Sequence, residues 1–369
     1  MKIERIDLYL VSMPLVLPFR TAFGNDQVIE SVLVRMAADG LEGWGETAPW
    51  ALPAYCPEYS AGVFALLRDV LAPRVAGQDV ASGSHLQQLL AGIKGNPFAK
   101  AGLDLAFWDL YARGRGEPLW KTIGGRGGPF DVGADLGVMD GIPELLGEIE
   151  RAAAAGFKRV KLKYRPGWEL DVLSAVRRAF PRHTFHVDCN SAYRLEDLPM
   201  FERLDDFGLA MIEQPLAHDD LIDHAQLRRQ VKTPICLDES ISSPDQARRA
   251  ITIAACDWIN IKHGRVGGLT NALAVHETCR RAGVGNWIGG MLESSIGQAF
   301  SMALATLPNV RYPSDIFPSS RFYEQDLGPE VELCGPGLME CPDGCGIGVA
   351  PDPSRLAART VAKASVAAR

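Results

Sequence analysis

The sequence predicts an α/β protein, a (β/α)7-8 TIM-type barrel with an α+β capping domain built from the N-terminal region and the C-terminal tail. Three observations predict it. Lys163, Asp188, Glu213, Asp238 and Lys262 recur at steps of 25, 25, 25 and 24 residues, and each closes a short apolar run (RVKLK, TFHVD, LAMIE, PICLD, DWINIK). A period of that size fits one strand, one helix and their two loops. Strand and helix patterns alternate from Val132 to about Asp315, whereas the two ends of the chain follow other patterns.

Taken in order, residues 1–126 read as the α+β cap with substrate-closing loops. The opening MKIERIDLYLVSMPLVLPF reads as an edge strand, because Glu4, Arg5, Asp7, Pro14 and Pro18 break a secretion signal. SVLVRMAA supplies a second strand, joined to the first by PFRTAFGNDQ. Helical patterns follow over 57–71, 84–93 and 97–115, the last with Leu103, Ala106, Phe107 and Leu110 on one stripe. TIGGRGGP then marks a boundary.

Residues 127–318 read as the barrel with the catalytic and metal residues. Its strands are expected near 130–138, 158–164, 184–189, 209–213, 234–238, 257–262, 285–291 and 308–312, and GIPELLGEIERAAAAGF is the clearest helix between them. An open nucleotide-binding sheet is disfavoured, since GRVGG lacks the GxGxxG spacing. Residues 319–369 read as a segment packing back on the cap, with a partly disordered Ala-rich tail.

With 47% apolar and 22% charged residues and a net charge of −7, the composition is that of a soluble protein with no affinity for nucleic acid or membrane. The eight cysteines show no zinc spacing and read as reduced thiols of a cytoplasmic protein.

Strand C-termini of such a barrel converge on one mouth, where active sites are built. Asp188, Glu213 and Asp238 then supply three hard oxygen ligands, which suit Mg2+, or Mn2+ in its place, better than zinc. Lys161 and Lys163 share one face of a strand. Two ammonium groups so close should depress the pKa of one, making Lys163 a general base and Lys161 its electrostatic tuner. Lys262 faces Lys163 across the mouth. Bases on either side of a metal-bound carboxylate point to removal of the proton α to that carboxylate. A Schiff-base lyase barrel using Lys163 or Lys262, and a barrel that only binds ligand, remain competing readings.

AFWDLYARGRGEPLWKTIGG, VKLKYRPGWE, VDCNSAY, MIEQPLAHDDLIDHAQL, TPICLDES, INIKHGRVGGL and GGMLESSIG together resemble the enolase superfamily. Within its muconate-lactonizing subgroup, the chain is most similar to the o-succinylbenzoate synthase / N-succinylamino acid racemase family. The resemblance implies Lys163 and Lys262 as the catalytic pair and Asp188, Glu213 and Asp238 as Mg2+ ligands. It gives supporting roles to Asn190 and Glu239. Gly290, Met291 and Glu293 would line the site, and the loops 20–23 and 49–55, with Arg20, Phe23, Trp50 and Tyr55, would close over it. The implied activities are dehydration to o-succinylbenzoate in menaquinone synthesis and racemisation of N-acylamino acids, on a small carboxylate, in a homo-oligomer.

The chain departs from the family pattern at several places. Asp135 stands where a small polar residue such as Ser is usual, and His263 replaces the usual Pro. Gln298 and Phe300 replace an Arg and a His, and Tyr164 an aliphatic residue. Asp135 and His263 are therefore expected to touch substrate. The departures leave muconate-type cycloisomerisation, dipeptide epimerisation and racemisation of a cationic amino-acid derivative as alternative outcomes.

Overall fold

The computed structural model describes residues 1–20, 24–168 and 170–368. Strands β1 (Arg5–Arg20), β2 (Asn25–Ala38) and β3 (Leu41–Thr47) form an antiparallel meander. The third strand was not expected, because Gly43 and Gly45 weaken its strand signal. Their purpose lies in packing. A Cβ at Gly43 would fall on the backbone of Ala106 and Leu110, and one at Gly45 on that of Gly102 and Ala106. These residues belong to helix α2 (Pro97–Gly114), which follows α1 (Gly83–Leu90) and lies directly on the sheet. Leu103, Ala106, Phe107 and Leu110 are buried, yet so are Asp104, Asp109 and Ala112, so α2 is enclosed on nearly every side. The single stripe expected for it is corrected accordingly.

The barrel strands are β4 (Ala134–Leu136), β5 (Arg159–Lys163), β6 (Thr184–Asp188), β7 (Ile212–Glu213), β8 (Ile235–Leu237), β9 (Trp258–Ile261) and β10 (Gly285–Ile288). They form one parallel sheet in sequence order. Helices α3 (Ile142–Ala154), α4 (Leu170–Ala179), α5 (Leu198–Leu204), α6 (Leu221–Gln230), α7 (Pro244–Thr252), α8 (Leu269–Ala282) and α9 (Ser295–Ala305) alternate with them.

The eighth strand expected at 308–312 is reduced to isolated bridges, Asn286 with Val310 and Val132 with Ser314. Pro308 and Pro313 interrupt this segment, and neither has an N–H to give to a ladder. Hydrogen bonds from Gly133 N to Ser314 O (2.9 Å) and from Asp315 N to Ile288 O (2.8 Å) still close the ring. The first expected strand is shorter for another reason: Phe130 and Asp131 pair with Leu338 and Met339 instead.

The tail is ordered. Strand β11 (Thr360–Ala367) runs antiparallel to β1, from Arg5 opposite Ala367 to Val11 opposite Thr360. This corrects two expectations, since β1 is an inner strand and the tail covers its edge. Alternating small residues suit a half-exposed edge, and composition alone could not separate that from disorder. Among the described residues no helix is long and apolar enough to cross a membrane.

Candidate active site

Alternation along the barrel strands puts polar residues inward in pairs two apart. Arg159, Lys161 and Lys163 share the inward face of β5, His186 and Asp188 that of β6, and Asn260 precedes Lys262 at the end of β9. Register brings neighbours level: Asp135 with Lys161, Lys163 with Asp188, and Asp188 with Glu213. All of these side chains are buried. Trp50, Asn190, Gln214 and Leu292, which flank the mouth, all hold positive φ. Such strain gathers at functional sites.

Lys163 Nζ donates to Asp188 Oδ2 at 2.8 Å, and Lys262 Nζ to Asp238 Oδ2 at 2.8 Å. The other oxygens of these acids are also held. Asn190 N donates to Asp188 Oδ1 (3.0 Å) and Tyr55 OH to Asp238 Oδ1 (3.2 Å), while Arg265 also pairs with Asp238. Glu213 takes Asn260 Nδ2 (2.7 Å) and His186 Nε2 (3.2 Å). Gln214 steadies the β8 end by accepting from the backbone N–H of Asp238 and Ser240.

Lys161 is enclosed by acids. Four carboxylates surround its ammonium: Asp315 at 2.5 Å, Asp135 at 3.2 Å, Asp188 at 3.5 Å and Glu213 at 3.7 Å. Burial opposes its charge, but Asp135, Asp315, Glu213 and Asp188 outweigh burial and hold its pKa well above the usual lysine value. Lys161 is thus a fixed cation, and the depression predicted from like-charge proximity does not fall on it. Lys262 also stays charged. Burial lowers its pKa, yet interaction with Tyr55, Glu239 and Glu213 brings it up to about 12. Glu213 is kept well below the usual carboxylate range, against burial, by Lys161, His186 and Lys262.

Lys161, Lys163, Lys262, Asn190, Asp135, Trp50, Tyr55, Gly290 and Met291 line one cavity of about 30 Å3. Trp50 Nε1 donates to Met291 O (3.3 Å), so the 49–55 loop is tied to the wall after β10. Tyr55 OH also accepts from Lys262 (3.3 Å) and Arg265 (3.1 Å). Glu239 takes its hydrogen bond from Asn190 Nδ2 (3.1 Å), and burial and the charge of Asp188 raise its pKa to about 7.

Three expected contacts do not reach the cavity. Arg20 is 44% exposed and paired with Asp140 at 2.6 Å. His263 lies behind the wall, its Nε2 against Gly297 O (3.2 Å), and burial lowers its pKa. Glu293 accepts from Met291 N (2.7 Å) and so braces the wall from outside. Phe23 lies outside the described residues.

Sequence reasoning missed Asp315, which holds Arg159 and Lys161 from the irregular eighth position, and Asn260, which holds Glu213. Asn260 was detectable, since it stands two residues before Lys262 on a strand. Arg265 is buried and clamps Asp238 and Tyr55.

Asp188, Glu213 and Asp238 stand at the ends of adjacent strands and offer only carboxylate oxygens, a donor set that fits a hard divalent ion. In the structure these oxygens are turned to lysines, arginine and amides. Among the described residues no group of three His, Cys, Asp or Glu is gathered tightly enough to enclose an ion.

A barrel whose mouth carries carboxylates on successive strands between opposed lysines, covered by an α+β cap, defines the class of enolase-superfamily enzymes. Residues 5–124 match the mandelate racemase / muconate lactonizing enzyme N-terminal domain, and residues 144–355 the enolase C-terminal domain-like family. The chain is 44% identical to N-succinylamino acid racemase of Thermus thermophilus over 95% of each chain. It is 44% identical to o-succinylbenzoate synthase of Geobacillus kaustophilus, over 94% of this chain and 92% of that one. An enolase-superfamily structure from Listeria innocua superposes with a TM-score of 0.96 at 34% identity, covering 100% of this chain and 99% of that one. The chain belongs to the o-succinylbenzoate synthase / N-succinylamino acid racemase family of the enolase superfamily, and it is an enzyme of that type.

Proposed function

We propose that the enzyme removes the proton α to a carboxylate, with Lys163 and Lys262 as opposed acid/base groups, to carry out o-succinylbenzoate synthesis, N-acylamino acid racemisation, or both. The observation that carries this reading is the pair of buried lysines from β5 and β9 facing one cavity, each on a carboxylate that flanks Glu213. Asp188, Glu213 and Asp238 would hold Mg2+, or Mn2+ in its place. The ion supplies positive charge against the substrate carboxylate as that group takes on the character of an enediolate.

Lys163 and Lys262 donate to Asp188 and Asp238 here, and would be free to turn to substrate where those acids held a cation instead. One lysine, in its neutral form, takes the α-proton onto Nζ. In racemisation the other, charged, returns a proton to the opposite face. In dehydration one lysine takes the α-proton and returns it to the β-hydroxyl as the C–O bond breaks and water leaves, and the other stands as a fixed positive charge. Trp50 and Tyr55, packed over the cavity, keep water away from the reacting carbon.

The test is exchange in deuterated water of a panel of N-succinylamino acids and the cyclohexadiene precursor of o-succinylbenzoate. The expected result is α-deuteration or dehydration that a chelator abolishes and Mg2+ restores. Borohydride trapping of a substrate on Lys163 or Lys262, with activity indifferent to chelator, would establish the Schiff-base reading instead.

A further inference from the structure

One acid that lines the cavity, Asp135, has a carboxylate oxygen that the described residues leave unused. Asp135 sits at the centre of β4, level with Lys161 in register, and is only 6% exposed. Its Oδ2 lies 3.2 Å from Lys161 Nζ and 3.8 Å from Lys163 Nζ. Its Oδ1 is buried and has no hydrogen-bond partner among the described residues.

The surrounding acids differ. Both oxygens of Asp188, Glu213, Asp238 and Asp315 are engaged by protein donors. Glu239 also has an unpaired oxygen, but Glu239 does not line the cavity of the two lysines. Asp135 does. In strand order the lysines of β5 stand between Asp135 and the acids of β6–β8, so Asp135 lies on the side of the lysines away from the metal-type acids.

A buried carboxylate oxygen without a donor costs free energy that a ligand donor recovers. A site built to accept a hydrogen bond also rejects an analogue that lacks the donor, because the acceptor is then left unpaired. We infer that Asp135 is a specificity residue that accepts an N–H of the substrate. This selects nitrogen-bearing carboxylates, such as N-acylamino acids, over isosteric carboxylates without that donor. The inference rests on the proton-abstraction reading above and narrows its substrate class toward racemisation. The donor is either the amide N–H beside the α-carbon or a side-chain ammonium, and both present the same chemistry to Oδ1.

The test compares α-deuterium exchange of N-succinyl-phenylalanine, its oxygen isostere O-succinyl-phenyllactate, and Nα-succinyl-lysine by the Mg2+-loaded wild type and the variants Asp135→Ala and Asp135→Asn. Because Asp135 also touches Lys161 and Lys163, the readout is the ratio of kcat/KM between substrates within one variant. A general loss of activity leaves that ratio unmoved.

The wild type should prefer amide over ester by about tenfold or more, the scale of one charge-assisted hydrogen bond. Asp135→Ala should bring that ratio toward one. Asp135→Asn keeps an acceptor but removes the charge. It should retain the amide preference if the donor is the amide, and lose a preference for the lysine derivative if the donor is the ammonium. Amide-to-ester and lysine-to-phenylalanine ratios unchanged between wild type and Asp135→Ala would overturn the assignment alone. Absence of exchange with any carboxylate in the wild type would overturn the proton-abstraction reading, and the assignment with it.

Discussion

Replacing Lys161 with Met keeps the length of the side chain and removes the charge that four buried acids share. Asp315, Asp135, Asp188 and Glu213 all lie within 3.7 Å of its ammonium, and Lys161 is 3% exposed. Removing one partner of a buried ion pair leaves an uncompensated charge and typically costs about 3–5 kcal/mol. Lys163 and Arg159 still balance part of the cluster, through Asp188 and Asp315 respectively. The expected cost therefore stays inside that interval, not a multiple of it. Thermal unfolding should show a Tm drop of about 4–6 °C. The double variant Lys161→Met/Asp315→Asn removes a charge of each sign. It should be less destabilised than the sum of its two single variants, the signature of coupled neighbours. A loss below about 1 kcal/mol for Lys161→Met, or strict additivity in the double variant, would refute the view of Lys161 as the cation that compensates this cluster.

Two further outcomes follow from the cap. Burial raises the Glu46 carboxyl to about 7, against hydrogen bonds from Ser294 and Ser31. A raised folded-state pKa means that this group's contribution is full below pH 4.5 and is lost as pH rises through 7. Urea unfolding should show a wild type about 3 kcal/mol less stable at high than at low pH relative to Glu46→Gln. A pH-independent difference between the two proteins would contradict that. Gly45→Ala places a methyl group on the backbone of Gly102 and Ala106. The strain should cost about 1–3 kcal/mol in thermal unfolding, while Gly92→Ala, with open space at that position and no positive φ, changes far less.

The features readable from sequence were those carried by local period. Strand alternation put Lys161 with Lys163 and set one charged residue at each strand end, and the structure keeps that order around the ring. The features that were hidden depend on what a residue meets across the fold. Lys161 was read against its neighbour Lys163, whereas its nearest partner, Asp315, comes from the segment that closes the barrel 154 residues later. Strand β3 was concealed by glycines whose reason is a helix distant in sequence. The Ala-rich tail carries its strand signal only once β1 is there to pair with it. His263 and Glu293 sit beside mouth residues in sequence, but the chain turns them to the back of the wall.

The central claim is that Lys163 and Lys262 face one α-carbon from opposite sides. It is tested most directly by following deuterium exchange from each enantiomer of an N-succinylamino acid with Lys163→Ala and Lys262→Ala. The account predicts that each variant loses racemisation and still exchanges the α-proton of one enantiomer, a different one for each lysine. Full racemisation by either variant, or loss of exchange from the same enantiomer in both, would contradict it.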